Sequence, residues 1–390
     1  MNRVFSAWRV TRRLGIRQGA AASAAPSWIF VSHTASPGGA ELALSRYLLR
    51  SELRNKKLLT LESGSTWSGL NDSDVEIMAP LDASIWSRVR LLVQALRGES
   101  CQVVVANSMR AALYSAICCP RSSILIYWVR DGLSESSVSR VGLLLTKLIT
   151  MRRVDACIAN SQWTARSVHA VKPGIPMRVV PSPCGIEASF PLSDEMEWDR
   201  FRSAEVRILF LGRISHWKGV HVAIETVKIL NEAASDCVYS LDIAGAALFG
   251  EDEYFAAIQE LVAGNDNVRL LGHVDQVAEL LRGYDALFHC SLIPEPFGQV
   301  IVQGMSAGLA VFATRGGGPD EIINDGVDGV LVQAGDSAAL AERVLELFSR
   351  PDRVRVLRHA ANRSAGRYSD EVAVREIDSA VRELVHQVNV

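Results

Sequence analysis

Two cations follow an apolar, strand-like run in the second half of the chain. The stretch LGRISHWKG (211–219) places Arg213 and Lys218 in the loop after residues 207–212. Arginine offers a planar fork of donors and lysine a compact charge, so the pair suits a diphosphate beyond the end of a parallel strand. Taken alone, the stretch is explained just as well as a solvated loop with surface charges.

An acid opens a second candidate segment, EPFGQVIVQG (295–304). Pro296 favours an extended conformation at Glu295, and Gly298 eases the entry into a helix. The first N–H groups of that helix have no intrahelical acceptor and carry a partial positive charge. The segment therefore predicts a binding site for phosphate oxygens.

The same helix carries a glutamine inside the apolar run VIVQGM. Eight residues of helix rise about 12 Å, comparable to the span from a sugar to the ribose of its nucleotide. Glu295 and Gln303 are thus predicted to hold the two ends of one ligand, with the N–H groups of Gln299 and Val300 facing phosphate. A helix N-terminus stabilised by a nearby acid, worth under about 1 kcal/mol, explains Glu295 but not Gln303.

Glycine-rich turns follow two further strand-like runs. In SPGGAELAL (36–44), Gly38 and Gly39 allow the backbone to approach a ligand at the start of a helix. The spacing is not G-x-G-x-x-G, so a dinucleotide fingerprint is absent. TRGGGPDEI (314–322) has a similar form. Each segment either shapes a cleft or is only a turn.

Apolar runs of strand length alternate with helical patterns along the chain, which is typical of parallel α/β layers. The predicted strands are WIFVSH (28–33), VVVA (103–106), ILIYWV (124–129), ACIANS (156–161), VVPSP (179–183), RILFLG (207–212), SLDIAG (240–245), NVRLLG (267–272), ALFHCS (286–291), LAVFAT (309–314) and GVLV (329–332). Both halves are predicted to be doubly wound sheets that bind ligands beyond the carboxyl ends of their strands.

Four segments are predicted. They are a basic flexible tail (1–27), an N-terminal Rossmann-like acceptor domain (28–192), a C-terminal Rossmann-like donor domain (193–368) and a closing amphipathic helix (369–390). The polar, acidic stretch 191–205 is predicted to be the hinge. Two such domains enclose a cleft.

The composition limits the class of protein. The chain has 390 residues, a net charge of -2 and seven cysteines, none in a C-x-x-C pair. This charge offers no overall attraction to nucleic acid, and the cysteine pattern favours reduced thiols in the cytoplasm over structural zinc. No apolar stretch is long enough to cross a bilayer.

Other features support weaker interpretations. Four of the eight histidines lack metal-ligand spacing and are interpreted as strand-end or loop residues: His33, His216, His273 and His289. The basic tail is either disordered or an arm that touches anionic lipid. The apolar, arginine-containing segments 85–97 and 138–153 are interpreted as helices that cover the first sheet. In a second interpretation they join the tail in a membrane-facing side.

In this order, these elements resemble the retaining glycosyltransferases of family four, which have the GT-B fold. The resemblance covers nearly the whole chain from about Trp28. It is most specific in residues 211–219, 272–274 and 291–335, which include EPFG and GGGPDEIINDGVDGVLV.

The resemblance implies roles for individual residues. Arg213 and Lys218 would bind the donor diphosphate, which the Gly38–Gly39 turn would approach from the other domain. The base would lie against the loop formed by Gly272, His273 and Val274. Glu295 would lie beside the donor sugar, and the amides after Phe297, at Gly298, Gln299 and Val300, would face sugar and phosphate.

Two positions depart from the family pattern. The second acid of the family's E-x7-E motif, which bonds the ribose hydroxyls, is Gln303 here, and an amide can still bond a hydroxyl. The family's His-Asp after a middle strand is Arg130-Asp131 here. Arg130 is interpreted either as a contact for an anionic acceptor or as a partner of Asp131 at a loop surface.

The resemblance implies retaining transfer of a sugar from a UDP- or GDP-sugar to a hydroxyl of a glycan or lipid-linked acceptor, without metal or other cofactor. It implies a cytoplasmic enzyme, with contact of the tail at the inner membrane face as a further option. Gln303 and Arg130 keep open a catalytically silent protein that binds nucleotide-sugars or partners. A nucleotide-sugar epimerase of the same architecture is a third hypothesis.

Overall fold

The computed structural model describes residues 27–62, 64–82, 84–96, 102–135, 137–187, 205–234, 236–247 and 250–389. Apart from Ser27 and Glu205, the predicted tail and hinge lie outside these residues. The described chain forms two parallel sheets, each packed between layers of helices. Strands covered on both faces are apolar throughout, as predicted from their sequences.

The first sheet has seven strands in the order β3-β2-β1-β4-β5-β6-β7. They are β1 (Ser27–Ser32), β2 (Lys56–Thr60), β3 (Glu76–Met78), β4 (Gln102–Asn107), β5 (Ile124–Val129), β6 (Ala156–Ala159) and β7 (Met177–Val179). The prediction missed β2 and β3. KKLLT begins with two charges and EIM has three residues, so neither is an apolar run of strand length.

The helices of this domain are α1 (Gly39–Arg50), α2 (Ile85–Ala95), α3 (Met109–Cys118), α4 (Arg140–Leu145), α5 (Met151–Arg153) and α6 (Gln162–Val171). A π-helical turn, Thr146–Thr150, joins α4 to α5. Helix α1 packs on one face of the sheet, and helices α2 to α6 pack on the other.

The second sheet has six strands in the order β10-β9-β8-β11-β12-β13. They are β8 (Glu205–Leu211), β9 (Val238–Ala244), β10 (Val268–Gly272), β11 (Ala286–His289), β12 (Ala310–Thr314) and β13 (Val330–Val332). The accompanying helices are α7 (Val220–Ala233), α8 (Asp252–Ala263), α9 (Val277–Leu281), α10 (Gln299–Ser306), α11 (Pro319–Ile322), α12 (Ser337–Phe348) and α13 (Pro351–Ala365).

The last helix, α14 (Asp370–Asn389), returns to the first domain. Its apolar face, including Ile377 and Val381, packs in the same core as Phe30 and Tyr47. Asp378 Oδ1 accepts hydrogen bonds from the Tyr47 hydroxyl and from Ser51 Oγ, both at 2.7 Å. The predicted closing helix therefore packs on the first sheet. No helix in the described part of the chain is long and apolar enough to span a bilayer.

The strand order reverses once in each sheet, between β1 and β4 in the first and between β8 and β11 in the second. The crevice beyond the carboxyl ends of two such strands is the preferred ligand site of an open α/β sheet. We therefore expect the ligand site to be lined by the residues that follow β1, β4, β8 and β11.

Candidate functional site

The crevice of the second sheet brings Lys218 and Glu295 together. Lys218 Nζ, in the loop after β8, lies 2.5 Å from Glu295 Oε2, in the loop after β11. Ser291 Oγ donates to the same carboxylate oxygen at 3.1 Å, and His289 Nε2 lies 3.3 Å from it. His289 is buried at the end of β11, so this strand-end histidine is a partner of the predicted site acid. In the sequence, only its position six residues before Glu295 could have indicated this pairing.

Glu295 is held as an anion. Burial alone would raise the pKa of its carboxyl group, but the charge of Lys218 and the hydrogen bond from His289 hold that pKa well below its usual range. Lys218 also lies over the Trp217 ring, 4.2 Å from its centre, and the Arg213 guanidinium lies 5.7 Å from the same centre. Both predicted cations therefore lie near the same indole ring.

The glycines of TRGGGPDEI support the backbone of Glu295. Gly318 N donates to the carbonyl oxygen of Glu295 at 2.8 Å, and Glu295 N donates to Gly316 O at 3.2 Å. A Cβ on Gly317, where φ is +87°, would lie 2.1 Å from the Glu295 carbonyl oxygen. The sequence allowed this segment to be either a cleft wall or only a turn. In the structure, its backbone bonds directly to the backbone of Glu295.

Substitution of Gly318 tests that support. Its φ of -60° suits any residue, but an added Cβ would lie 2.1 Å from the Phe297 carbonyl oxygen. We expect Gly318→Ala to lower the unfolding free energy by about 3 kcal/mol, because backbone must move. Gly366→Ala is the matched control, since φ is -56° there and no atom lies within 4 Å of the added Cβ. Equal thermal unfolding midpoints for the two variants would contradict this packing.

Helix α10 begins against the first domain. Gly298, at φ +104°, turns the chain into the helix, whose first N–H groups belong to Gln299 and Val300. Gln299 Nε2 donates to Gly39 O at 2.8 Å, and Arg46 Nη1 donates to Gln299 Oε1 at 3.3 Å. The glycine turn after β1 and the predicted phosphate-binding helix start are thus in direct contact across the cleft.

A second contact joins the domains at Glu321. Its carboxylate accepts from the backbone N–H of Gln162 at 2.8 Å and of Trp163 at 2.7 Å, at the start of helix α6. A carboxylate is favourable at this end of a helix because the free N–H groups carry partial positive charge.

Arg130 lies buried at the floor of the cleft. Its Nε donates to Asn107 Oδ1 at 2.7 Å and its Nη1 to Ser182 Oγ at 2.8 Å, while the guanidinium stacks 3.9 Å from the centre of the Trp128 ring. Burial lowers its pKa to about 9. Its Nη2 is buried and has no hydrogen-bond partner among the described residues. The loop-surface interpretation of Arg130 is therefore wrong.

Asp131, the next residue, is exposed, and charges from both domains act on the pKa of its carboxyl group. Desolvation raises the pKa of its carboxyl group, the charge of Arg213 opposes this shift, and the charge of Glu295 adds to it. These effects place Asp131 among the charged groups of both domains.

A buried acid that was not predicted, Glu41, lies in the first turn of α1. Its side chain is 5% exposed, its Oε1 lies 3.8 Å from His33 Nδ1, and that oxygen has no hydrogen-bond partner among the described residues. A Cβ on Gly38 would lie 2.6 Å from Glu41 Oε2, so the glycine leaves room for the carboxyl group. An acid directly after a glycine turn was the available signal.

Glu41 makes stability depend on pH. Burial raises its pKa from 4.5 to about 7, against the charges of Arg130 and Arg213 and with that of Asp131. Between those two pH values the folded chain keeps a proton that the unfolded chain has lost, so stability falls as pH rises through this window.

We expect Glu41→Gln to remove this dependence. From pH 5 to pH 8, the unfolding free energy of the variant should gain roughly 2–3 kcal/mol relative to the wild type. Denaturant titrations at both pH values measure this difference. Glu225→Gln, at an exposed position on α7, is the control and should follow the wild type. A parallel pH trend for Glu41→Gln would contradict the assignment.

Two predicted contacts lie away from this cluster. Gln303 Nε2 donates to Cys184 O at 2.6 Å, so its amide holds the chain that leaves the first domain. Gly272, at φ +72°, and His273 are exposed at the end of β10, and Val274 packs partly into the core that contains Ile301. Their roles toward ribose and base stay predictions.

Two doubly wound domains that face each other across a cleft, with charged groups at both crevices, define the GT-B fold, which confirms the predicted fold class. HepE of Anabaena, solved with UDP and glucose, is similar with a TM-score of 0.79 and 22% identity, over 92% of this chain and 100% of that one. A glycosyltransferase from Rickettsia africae is similar with a TM-score of 0.72 and 16% identity, over 93% and 99%.

The match to a family model lies in the second domain. Residues 195–364 match the family model described as glycosyl transferases group 1. The alpha-maltose-1-phosphate synthase of Mycobacterium tuberculosis is 30% identical over 58% of each chain. The lipopolysaccharide core biosynthesis glycosyltransferase LpsE of Rhizobium meliloti is 27% identical over 54% of this chain and 59% of that one. The chain spans about half the length of the first curated relatives it matches.

Proposed function

We propose that this protein is a glycosyltransferase that moves a sugar from a UDP- or GDP-sugar to a hydroxyl of a glycan or lipid-linked acceptor. The observation that carries the proposal is the Lys218–Glu295 pair beside the start of α10, with the Gly38–Gly39 turn against that helix from the other domain. Relatives named as glycosyltransferases and a similar structure solved with UDP and glucose support it.

In this proposal, the residues act mainly by electrostatics. Arg213, Lys218 and the N–H groups of Gln299 and Val300 stabilise the negative charge that grows on the leaving diphosphate. Glu295 holds Lys218 in place and lies beside the sugar. Contact between the domains excludes water and limits hydrolysis.

We further propose that transfer retains the anomeric configuration and needs no metal. The bond from the anomeric carbon to the diphosphate breaks, and the bond to the acceptor oxygen forms on the same face. The acceptor proton passes to the leaving phosphate oxygen, so no separate base is required. The two cations supply the positive charge at the diphosphate. Product anomer by NMR, and transfer in the presence of EDTA, test these two points.

A thermal-shift screen of UDP, GDP and their common sugars tests the donor. A ligand at a hundred times its Kd stabilises the folded chain by about 2.7 kcal/mol, a shift that is readily measured. A nucleotide that stabilises the wild type should stabilise Lys218→Ala less. The absence of a shift with every nucleotide would contradict the proposal.

The catalytically silent alternative has one observation in its favour, the bond from Gln303 to Cys184 O. Nucleotide binding without transfer or hydrolysis across donors would support it. Activity gained by Gln303→Glu would then show that this position had suppressed turnover. Isomerised sugar nucleotide without acceptor would instead support an epimerase.

A further inference from the structure

The helices on one face of the first sheet carry basic residues and no acids. In the sequence, residues 84–96, 102–130 and 137–154 contain neither aspartate nor glutamate. The exposed basic residues from α2 to α5 are Arg90, Arg110, Arg140, Lys147 and Arg152, and α6 adds Arg166. The acids that pair with these helices lie outside them: Glu62 pairs with Arg88 at 3.5 Å, Glu135 with Arg140 at 3.6 Å and Asp155 with Arg153 at 3.0 Å. Asp82 precedes α2, and Glu321 of the second domain accepts from the first N–H groups of α6.

The same helices expose large apolar side chains. Leu81 is 96% exposed, Trp86 is 82% exposed and Val141 is 69% exposed. The exposed apolar residues of this region are Leu81, Ile85, Trp86, Ile117, Val141, Leu144, Leu148 and Ile149. Single exposed apolar residues are ordinary, but a group of them on neighbouring helices marks an interaction site.

The helices form one continuous surface. Helix α3 packs against α2 on one side and against the π-helical turn on the other. The first turns of α2 and α4 follow β3 and β5, so Trp86 and Val141 lie toward the carboxyl edge of the sheet, where the cleft opens. We call this surface, residues 81–82, 84–96, 109–118 and 140–152, the basic apolar face.

We propose that the basic apolar face binds the surface of an anionic lipid bilayer. Apolar side chains would enter the headgroup region, where tryptophan is especially favourable, while arginine and lysine pair with lipid phosphates. The absence of acids from the helices distinguishes this surface from an ordinary solvated one, on which both signs occur. The face lies beside the cleft mouth, so binding would present the cleft to molecules in the membrane.

Vesicle sedimentation of the full chain tests this proposal without any assay of transfer. Wild type should bind phosphatidylcholine vesicles that contain phosphatidylglycerol, bind neutral vesicles far less, and dissociate at high salt. Arg140→Glu with Lys147→Glu should weaken partitioning about thirtyfold or more. Leu81→Ser with Trp86→Ser should weaken it about tenfold.

The matched control is Arg355→Glu with Val356→Ser, an exposed pair on α13 of the second domain. It should bind as wild type does, and thermal midpoints should show that every variant is folded.

Undiminished binding by both face variants would overturn the proposal. Binding that is lost only in the variant Arg3→Ser with Arg9→Ser and Arg12→Ser would also overturn it, because the tail would then be the contact. A dimer broken by Trp86→Ser, without vesicle binding, would assign the face to a second copy.

Discussion

Lys218→Ala should lower kcat/KM for sugar transfer by about 100- to 1000-fold. Lys218 is the cation nearest Glu295 at the start of α10, so its loss removes charge where the leaving diphosphate would develop its own. The substitution also leaves the Glu295 carboxylate without its ion-pair partner, which costs about 3–5 kcal/mol of stability when the pair is buried. Initial rates of nucleotide release at donor concentrations well below KM measure the first effect, and denaturant unfolding measures the second.

A double-mutant cycle separates these two effects. Lys218→Ala combined with Glu295→Gln should recover much of the stability lost in Lys218→Ala, because no unpaired charge remains, yet transfer should stay low. Lys228→Ala, at an exposed position on α7, is the control and should act as wild type. Near-normal transfer by Lys218→Ala would reject the assignment of this lysine to the donor site.

Glu295→Gln should lower turnover by about 100-fold while the Kd of the nucleotide changes by less than about threefold. The amide keeps the shape of the side chain but cannot pair as an anion with Lys218 or accept equally well from Ser291. Since the pKa of Glu295 lies well below its usual range, its charge is present throughout the neutral and mildly acidic range. The predicted loss should therefore be equal at pH 6 and pH 8.

Single-turnover transfer and nucleotide titration, run on the same preparations, measure the two quantities. Glu279→Gln, on the exposed side of α9, is the matched control. A parallel loss of nucleotide affinity would show that Glu295 acts only by holding Lys218. In that case its place beside the sugar would be wrong.

Several site elements were predictable because they depend on neighbours in sequence. A proline after Glu295 and a glycine before Gln299 predict an extended residue followed by a helix start. In the structure Glu295 forms an isolated β-bridge with Gly317, and the helix begins at Gln299. Apolar runs predicted most strands because a buried parallel strand needs apolar residues on both faces. The strands β2 and β3 were not predicted, because β2 begins with two charged residues and β3 has only three residues.

Other features depend on how distant segments meet. Glu41 was one acid in an ordinary helix until the fold buried it within reach of charges from residues 130 and 213. Gln303 was predicted to face a ribose, but the fold sets Cys184 O within 2.6 Å of its amide. Helical spacing predicts which side of a helix is apolar, and it does not predict which loop crosses its polar positions.

By itself the sequence determined the alternation of strands and helices, the two-domain fold class and the local geometry at residues 295–300, because hydrophobic period and backbone sterics act over a few residues. Only the tertiary structure decided that Lys218, His289 and Glu295 form one cluster. The order of strands brings the ends of β8 and β11 side by side, and contacts between residues 77 positions apart, such as Lys218 with Glu295, exist only once that order is set.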